Sequence, residues 1–266
     1  MKEMKSYGIT NFNVVESKFD FHLENIKRRG YSIEPNILTT EKCDYYIGLI
    51  NKVYKKQESE FGKENLRKIN ELDMARMPFM DESELAKLFL DPFISQLVKG
   101  VIGDAVQLHL QNAIINRPSR EHHQSSWHRD LPYQEWTITK PLAVNAFFCL
   151  TDFTEANGAT YLLPYSHKFD SFPSVDFAEE NKIVVSAPKG SVLFFDSMVY
   201  HRAGYNQSNS VRIGINNMFV VPILKPQINF DIKTFIYSNE VSEALGKSFE
   251  TPNSVLDFRN KRLNKI

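Results

Sequence analysis

The sequence predicts a mainly β protein with flanking helices, and a change of period between its two halves carries that expectation. From Val106 onward, short runs rich in β-branched and aromatic residues alternate with turn signals. The first hundred or so residues instead space their apolar side chains as helices do. The β runs are VQLHLQNAIIN, AVNAFFCL, ATYLLP, KIVVSAP, SVLFFDS and VRIGINNMFVV, divided by ANG, PKG, HRAG and NQSN. Short strands at such spacing indicate a sandwich or barrel.

In the N-terminal part, Thr39 and Thr40 stand as caps before Cys43, Tyr46, Ile47, Ile50 and Val53, which recur at helical spacing. Asp81 with Glu84 resembles a capping box ahead of Leu85, Leu88 and Phe89. Asp91-Pro92 suits the N-cap and first position of a further helix closing near Gly103. These helices are expected to brace a sheet. The chain of 266 residues is read as a single domain. Residues 1–104 give mainly helical support, 105–225 the β core and 226–266 a C-terminal extension. In that extension SNEVSEALG looks helical, and the polar, basic end is expected to fold back over the barrel.

Lysine plus arginine (32) balances aspartate plus glutamate (32), which gives no support to a nucleic-acid partner and makes a small-molecule substrate the default. Cys43 and Cys149, distant in sequence, read as reduced thiols rather than a disulfide framework. The start has no apolar leader, and no stretch approaches the roughly 20 apolar residues of a membrane span. A soluble cytoplasmic protein is expected. No isolated apolar stripe separates from the core pattern, so oligomeric state stays open.

The strongest chemical signal is Trp127-His128-Arg129-Asp130. In an extended strand residues i and i+2 project to one side, so His128 and Asp130 present a nitrogen and an oxygen to one ion while Arg129 points away. His201, after the apolar strand Ser191 to Phe195 and before a turn, is the candidate third ligand. Two imidazoles and one carboxylate form a facial triad that leaves three positions open for a bidentate co-substrate and O₂. Arg212 lies eleven residues later on VRIGINNMFVV, sharing a face with Gly214, Asn216 and Met218. Its guanidinium fork suits the far carboxylate of 2-oxoglutarate, whose keto acid end would chelate iron. The plainer alternative for Arg212 is a rim-exposed strand end.

The segment from about Arg76 to Val221 resembles the phytanoyl-CoA dioxygenase family of Fe(II)/2-oxoglutarate oxygenases. WHRDLPY, FFCLTDFTEANGATYLLPYSHK and PKGSVLFFDSMVYHRAGYNQSNSVR carry the resemblance, in order and at matching spacing. It implies a double-stranded β-helix, a jelly roll of the cupin kind, with iron on His128, Asp130 and His201 and 2-oxoglutarate on Arg212. It also implies a polar residue on the preceding strand, Asn116 or Asn112, against the oxoglutarate, and Phe147 where a larger aromatic is common. Core or edge packing is the alternative for these three.

Two departures stand out. Ala203 replaces a serine that relatives often use to bond the co-substrate, and Pro164-Tyr165 replaces a more usual Pro-Gly. His167 is read as structural, and His122 with His123 as a solvated loop near the mouth.

The expected reaction is oxidation, first of all hydroxylation, of a C–H bond in a small molecule, with O₂ consumed and succinate and CO₂ released. Related halogenases replace the carboxylate ligand with a small residue, and Asp130 argues against that chemistry. A non-oxidising cupin-like metal- or ligand-binding protein is the alternative, against which Arg212 and the complete ligand set count. Arg76 in MARMPFM and the terminal NKRLNKI are expected to shape the substrate entrance, either meeting an anionic substrate or standing as solvated surface charge.

Overall fold

The computed structural model describes residues 14–119 and 122–228. The expected C-terminal helix and the basic NKRLNKI lie outside the described residues. The chain runs α1 (Lys18–Arg29), β1 (Tyr31–Glu34), α2 (Thr40–Phe61), α3 (Lys63–Lys68), β2 (Met74–Arg76), α4 (Pro92–Ile102) and β3 (Gln107–Asn116). It continues through β4 (Ala143–Cys149), β5 (Thr160–Leu162), α5 (Val175–Asn181), β6 (Ile183–Val184), β7 (Val192–Asp196), β8 (His201–Ala203) and β9 (Arg212–Val220).

Helix ends follow local chemistry. Thr39 caps α2 through its hydroxyl, which accepts from the Lys42 amide, and Asp91 caps α4 through the amides of Phe93 and Ile94. Asp81 does not cap. Its carboxylate accepts from Lys56 and Gln57 of α2, and Ser83–Leu88 forms a 3₁₀ segment with no side-chain cap. The sequence reading passed over α1, although Ser17 and Asp20 make a reciprocal capping box and Gly30 closes the helix in the left-handed region.

Two sheets face each other. The larger is ordered β1-β7-β4-β9-β3-β2 and the smaller β6-β5-β8, with antiparallel pairing throughout. The arrangement is the expected jelly roll. Strands β1 and β2, from the part expected to be helical, form the edges of the large sheet. Within HRAG, expected as a turn, His201–Ala203 instead form strand β8, whose residues pair with β5.

Period-2 alternation divides the large sheet between two cores. Ala113, Ile115, Val144, Ala146, Phe148, Ile213 and Ile215 pack under the helices with Ile26, Ile50, Val53 and Leu97. Each such large side chain removed from water contributes about 1.5–3 kcal/mol. The opposite face looks at the small sheet and carries two apolar clusters, one around Phe147, Phe153 and Phe195 and one around Leu131, Met198 and Met218. A bulge between Leu108 and Leu110 shifts the β3–β9 register. It puts Leu108 opposite Phe219 in the helix-side core, whereas unbroken alternation with Leu110 and Asn112 would turn it to the other face, and leaves His109 as the extra residue.

Asp196 ends β7 almost fully buried, accepting from the Met198 amide at 2.9 Å. Burial pushes its carboxyl up to about 7. Because the folded value lies above that of the unfolded chain, this group's contribution is whole below about pH 4 and is lost as the pH climbs towards 7. Asp196→Asn is therefore expected to stabilise the fold at about pH 8 by about 1–3 kcal/mol and to change little near pH 4. Denaturant titrations at the two pH values check this, and a pH-independent difference would contradict it.

Candidate active site

His128 and His201 sit opposite one another. The His128 N–H donates to the His201 carbonyl and the His201 N–H to the His128 carbonyl, both at 3.0 Å, so the H-x-D segment lies against β8. Each ring is then oriented by its own backbone. Nδ1 of His128 lies 2.8 Å from the Ser126 carbonyl and Nδ1 of His201 3.0 Å from that of Val199. A carbonyl only accepts, so both Nδ1 atoms carry the hydrogen and both Nε2 lone pairs are bare. Oδ1 of Asp130 lies 3.9 Å from Nε2 of His128 and 3.6 Å from Nε2 of His201. The three ligand atoms fall within 4.8 Å of one another. Burial, assisted by His128, pulls His201 down to about 4, which keeps it neutral at ordinary pH.

The donor set fits a divalent transition metal. Nε2 of His128 is buried with no hydrogen-bond partner, and Asp130 keeps Oδ1 free because its Oδ2 accepts from the amides of Asn145 and Asn216. Asn145 is itself held by the Ser197 hydroxyl at 3.1 Å. Arg129 points away from the ligands, donating to the carbonyls of Met198 and Ser166 and lying over the Tyr200 ring at 4.0 Å. Outer partners of a ligand typically govern affinity by about 10–100-fold, so Asn145→Leu is expected to weaken Fe(II) binding within that range. An anaerobic metal titration reads this, and an unchanged affinity would deny the amide its orienting role.

Arg212 opens β9 directly across from Asn116 of β3. It is 1% exposed, its guanidinium lies 4.7 Å from the Phe153 ring centre, and neither Nε nor Nη2 has a hydrogen-bond partner. Burial lowers it to about 10, still charged at neutral pH. The rim-exposed alternative is thus set aside. Leaving an arginine charge buried and unmatched costs several kcal/mol, which an anion in the same cavity would offset. That cavity, about 450 Å³, is lined by Arg212, His128, Asp130 and His201 together. Gly214 lets the aromatic wall approach, since a Cβ there would stand 2.6 Å from Cε2 of Phe147.

A family model described as phytanoyl-CoA dioxygenase (PhyH) matches residues 26–214. The chain belongs to the phytanoyl-CoA dioxygenase family. Uncharacterised protein Rv1501 of Mycobacterium tuberculosis is 30% identical over 208 residues, 76% of this chain and 75% of its own. Dioxygenase af480 of Aspergillus fumigatus is 28% identical over 152 residues, 55% of this chain and 48% of its own. Among solved structures the fold recurs in EctD from S. alaskensis with 2-oxoglutarate and 5-hydroxyectoine, at TM-score 0.65 and 15% identity over 79% of each chain. It recurs too in the epimerase SnoN with Fe3+, alpha ketoglutarate and nogalamycin RO, at TM-score 0.61 and 16% identity over 83% of this chain and 92% of that one.

The other expected residues of this phytanoyl-CoA dioxygenase family member divide. Asn112 and Phe147 line the cavity. Phe147 packs edge-on to Phe153 at 5.6 Å, and Oδ1 of Asn112 also accepts from the Met77 amide at 3.4 Å. Asn116 is fully buried and turns its Nδ2 to the carbonyls of Gly158 (3.3 Å) and Gly204 (2.9 Å), tying two loops to the sheet. Gly158 is required there by its φ of 75° and by the approach of the Gly204 carbonyl. Arg76 borders the cavity, but its guanidinium is already engaged by Glu71 and Gln227.

His122 and His123 are not a solvated loop. His122 is buried, its rings stack with His123 at 4.3 Å, and burial drives the two down to about 3 and 4, with His123 lining the cavity. His167 reaches the Lys27 carbonyl near the end of α1 at 3.4 Å. Tyr165 takes the left-handed conformation, φ 67°, that a glycine adopts freely. Opposite Ala203 on the neighbouring strand stands Thr160, which also lines the cavity. Asn145, Thr160 and His109 were missed by sequence reasoning. A lone amide in the apolar run AVNAFFCL was the available signal for Asn145.

Proposed function

We propose that the chain hydroxylates a C–H bond of a small molecule using Fe(II) held by His128, Asp130 and His201 and 2-oxoglutarate held by Arg212. The observation that carries this reading is the unmatched, buried Arg212 guanidinium sharing one cavity with three converging metal-ligand atoms. When bound together, iron and 2-oxoglutarate supply O₂ activation for C–H oxidation, with succinate and CO₂ released. The chain's own residues do the rest. Backbone carbonyls fix both imidazoles with Nε2 bare. Asn145 and Asn216 hold the carboxylate through Oδ2 so that Oδ1 faces the two imidazoles. Arg212 offers a fork to the far carboxylate of the co-substrate, and Thr160 offers the hydroxyl absent at Ala203. Phe147 and Phe153 keep that end dry, which strengthens each electrostatic contact made in it. The carboxylate ligand Asp130 favours hydroxylation over halogenation.

The test is aerobic incubation with 2-oxoglutarate, with and without Fe(II), scored as succinate. Iron-dependent succinate release is expected. Iron binding without succinate release under these conditions would move the chain to the non-oxidising, metal-binding reading.

A further inference from the structure

The cavity holds two kinds of unsatisfied polar atom. At the Arg212 end they are donors, Nε and Nη2. Elsewhere on its wall stand Nε of Arg202, a further donor, and two acceptors that ask for a different ligand.

His109 is the extra residue of the β3 bulge, which turns it onto the cavity wall beside Leu110. It is 8% exposed, and its Nδ1 is buried without a hydrogen-bond partner. Burial lowers the imidazole below the usual histidine range, which favours the neutral ring, and with the other nitrogen towards the Lys225 backbone the bare Nδ1 is the one left to accept. Asn216 supplies the second acceptor. Its Nδ2 donates to Oδ2 of Asp130 at 3.3 Å, and since a carboxylate only accepts, the amide cannot be turned round. Its Oδ1 is left buried and unpartnered on the same wall.

The remaining arginines around the cavity are already engaged by protein groups. Arg76 is held by Glu71, Arg202 by Glu179 at 2.9 Å, and Arg129 by backbone carbonyls. Among the described residues that leaves Arg212 as the guanidinium calling for an anion, and 2-oxoglutarate answers it.

Resting on the oxygenase reading above, we propose that the substrate is an uncharged, hydroxyl-bearing small molecule whose O–H groups donate to Nδ1 of His109 and Oδ1 of Asn216. A phosphate, a carboxylate or a CoA ester would set its anionic oxygens against these two bare acceptors, an electrostatic mismatch that a hydroxyl donor avoids. A site built to bond a hydroxyl rejects the analogue lacking it because its own buried groups stay unpaired.

The test uses cavity-sized alicyclic diols, their O-methyl ethers and their phosphate monoesters as probes. Binding is read by ligand-detected NMR on protein loaded with 2-oxoglutarate and Zn(II) in place of iron. Diols are expected to bind about tenfold more tightly than ether or phosphate partners. His109→Leu should erase the preference, and His109→Gln, which restores an acceptor, should recover part of it. Ethers or phosphates that bind wild type as well as the diols do, or a His109→Leu protein that keeps the preference, overturn the proposal. The visible band of the Fe(II)–2-oxoglutarate complex is read separately on the same variants. Its loss from wild type would sink the oxygenase reading, whereas its presence without a diol preference sinks this proposal alone.

Discussion

Asp130→Ala is expected to lower iron-dependent succinate release by roughly a thousandfold or more, beyond the tenfold to hundredfold that losing an outer partner of a ligand costs. The substitution removes the one anionic ligand, leaving two neutral imidazoles to hold a divalent cation that then lacks any compensating charge. It also strands the amides of Asn145 and Asn216, both of which donate to the same carboxylate. The fold should survive, because the His128–His201 backbone pairing and the Arg129 anchor are untouched. Assays belong in chloride-free buffer, since a halide can take the vacated position. Fe(II) affinity and succinate release are the readouts. A variant that keeps both would remove Asp130 from the metal site.

Arg212→Leu should raise the 2-oxoglutarate concentration needed for half-saturation by roughly 30- to 4000-fold while leaving Fe(II) affinity unchanged, because truncating one partner of a buried charge pair costs about 2–5 kcal/mol. A merely structural arginine predicts a different pattern. The guanidinium has unsatisfied donors in this structure, so an apolar replacement of similar bulk removes a desolvation cost. The thermal midpoint of protein free of metal and co-substrate should therefore hold or rise even as co-substrate affinity collapses. Arg212→Lys should recover only part of the binding, since an ammonium is a point charge without the fork. A fall in stability with unchanged 2-oxoglutarate dependence would contradict the assignment.

Much of this site was legible because it is written locally. His128 and Asp130 are two residues apart on an extended segment, and Arg212 shares the period-2 face of Gly214 and Asn216, so alternation alone predicted which side chains would meet. The Asp91-Pro92 cap and the Cys43 to Val53 stripe were legible for the same reason. What failed was non-local. His109 faces the cavity through a bulge, which shifts the alternation that would have kept Leu108 inward. Asp81 looked like a cap, but two residues of α2, distant in sequence, claim its carboxylate. His122 and His123 read as polar loop residues, and burial against Asp73 and the cavity reverses that reading. Asn116 stands on the expected strand, with Nδ2 held by two glycine carbonyls from separate loops and Oδ1 without a hydrogen-bond partner.

The most direct measurement is an anaerobic titration of the purified protein with Fe(II) and then 2-oxoglutarate, following the weak visible charge-transfer band of the chelate. The band should appear in wild type and be absent from Arg212→Leu at the same concentrations. Wild-type protein that binds iron and gives no band on adding 2-oxoglutarate would contradict co-substrate chelation at the His128, Asp130 and His201 centre.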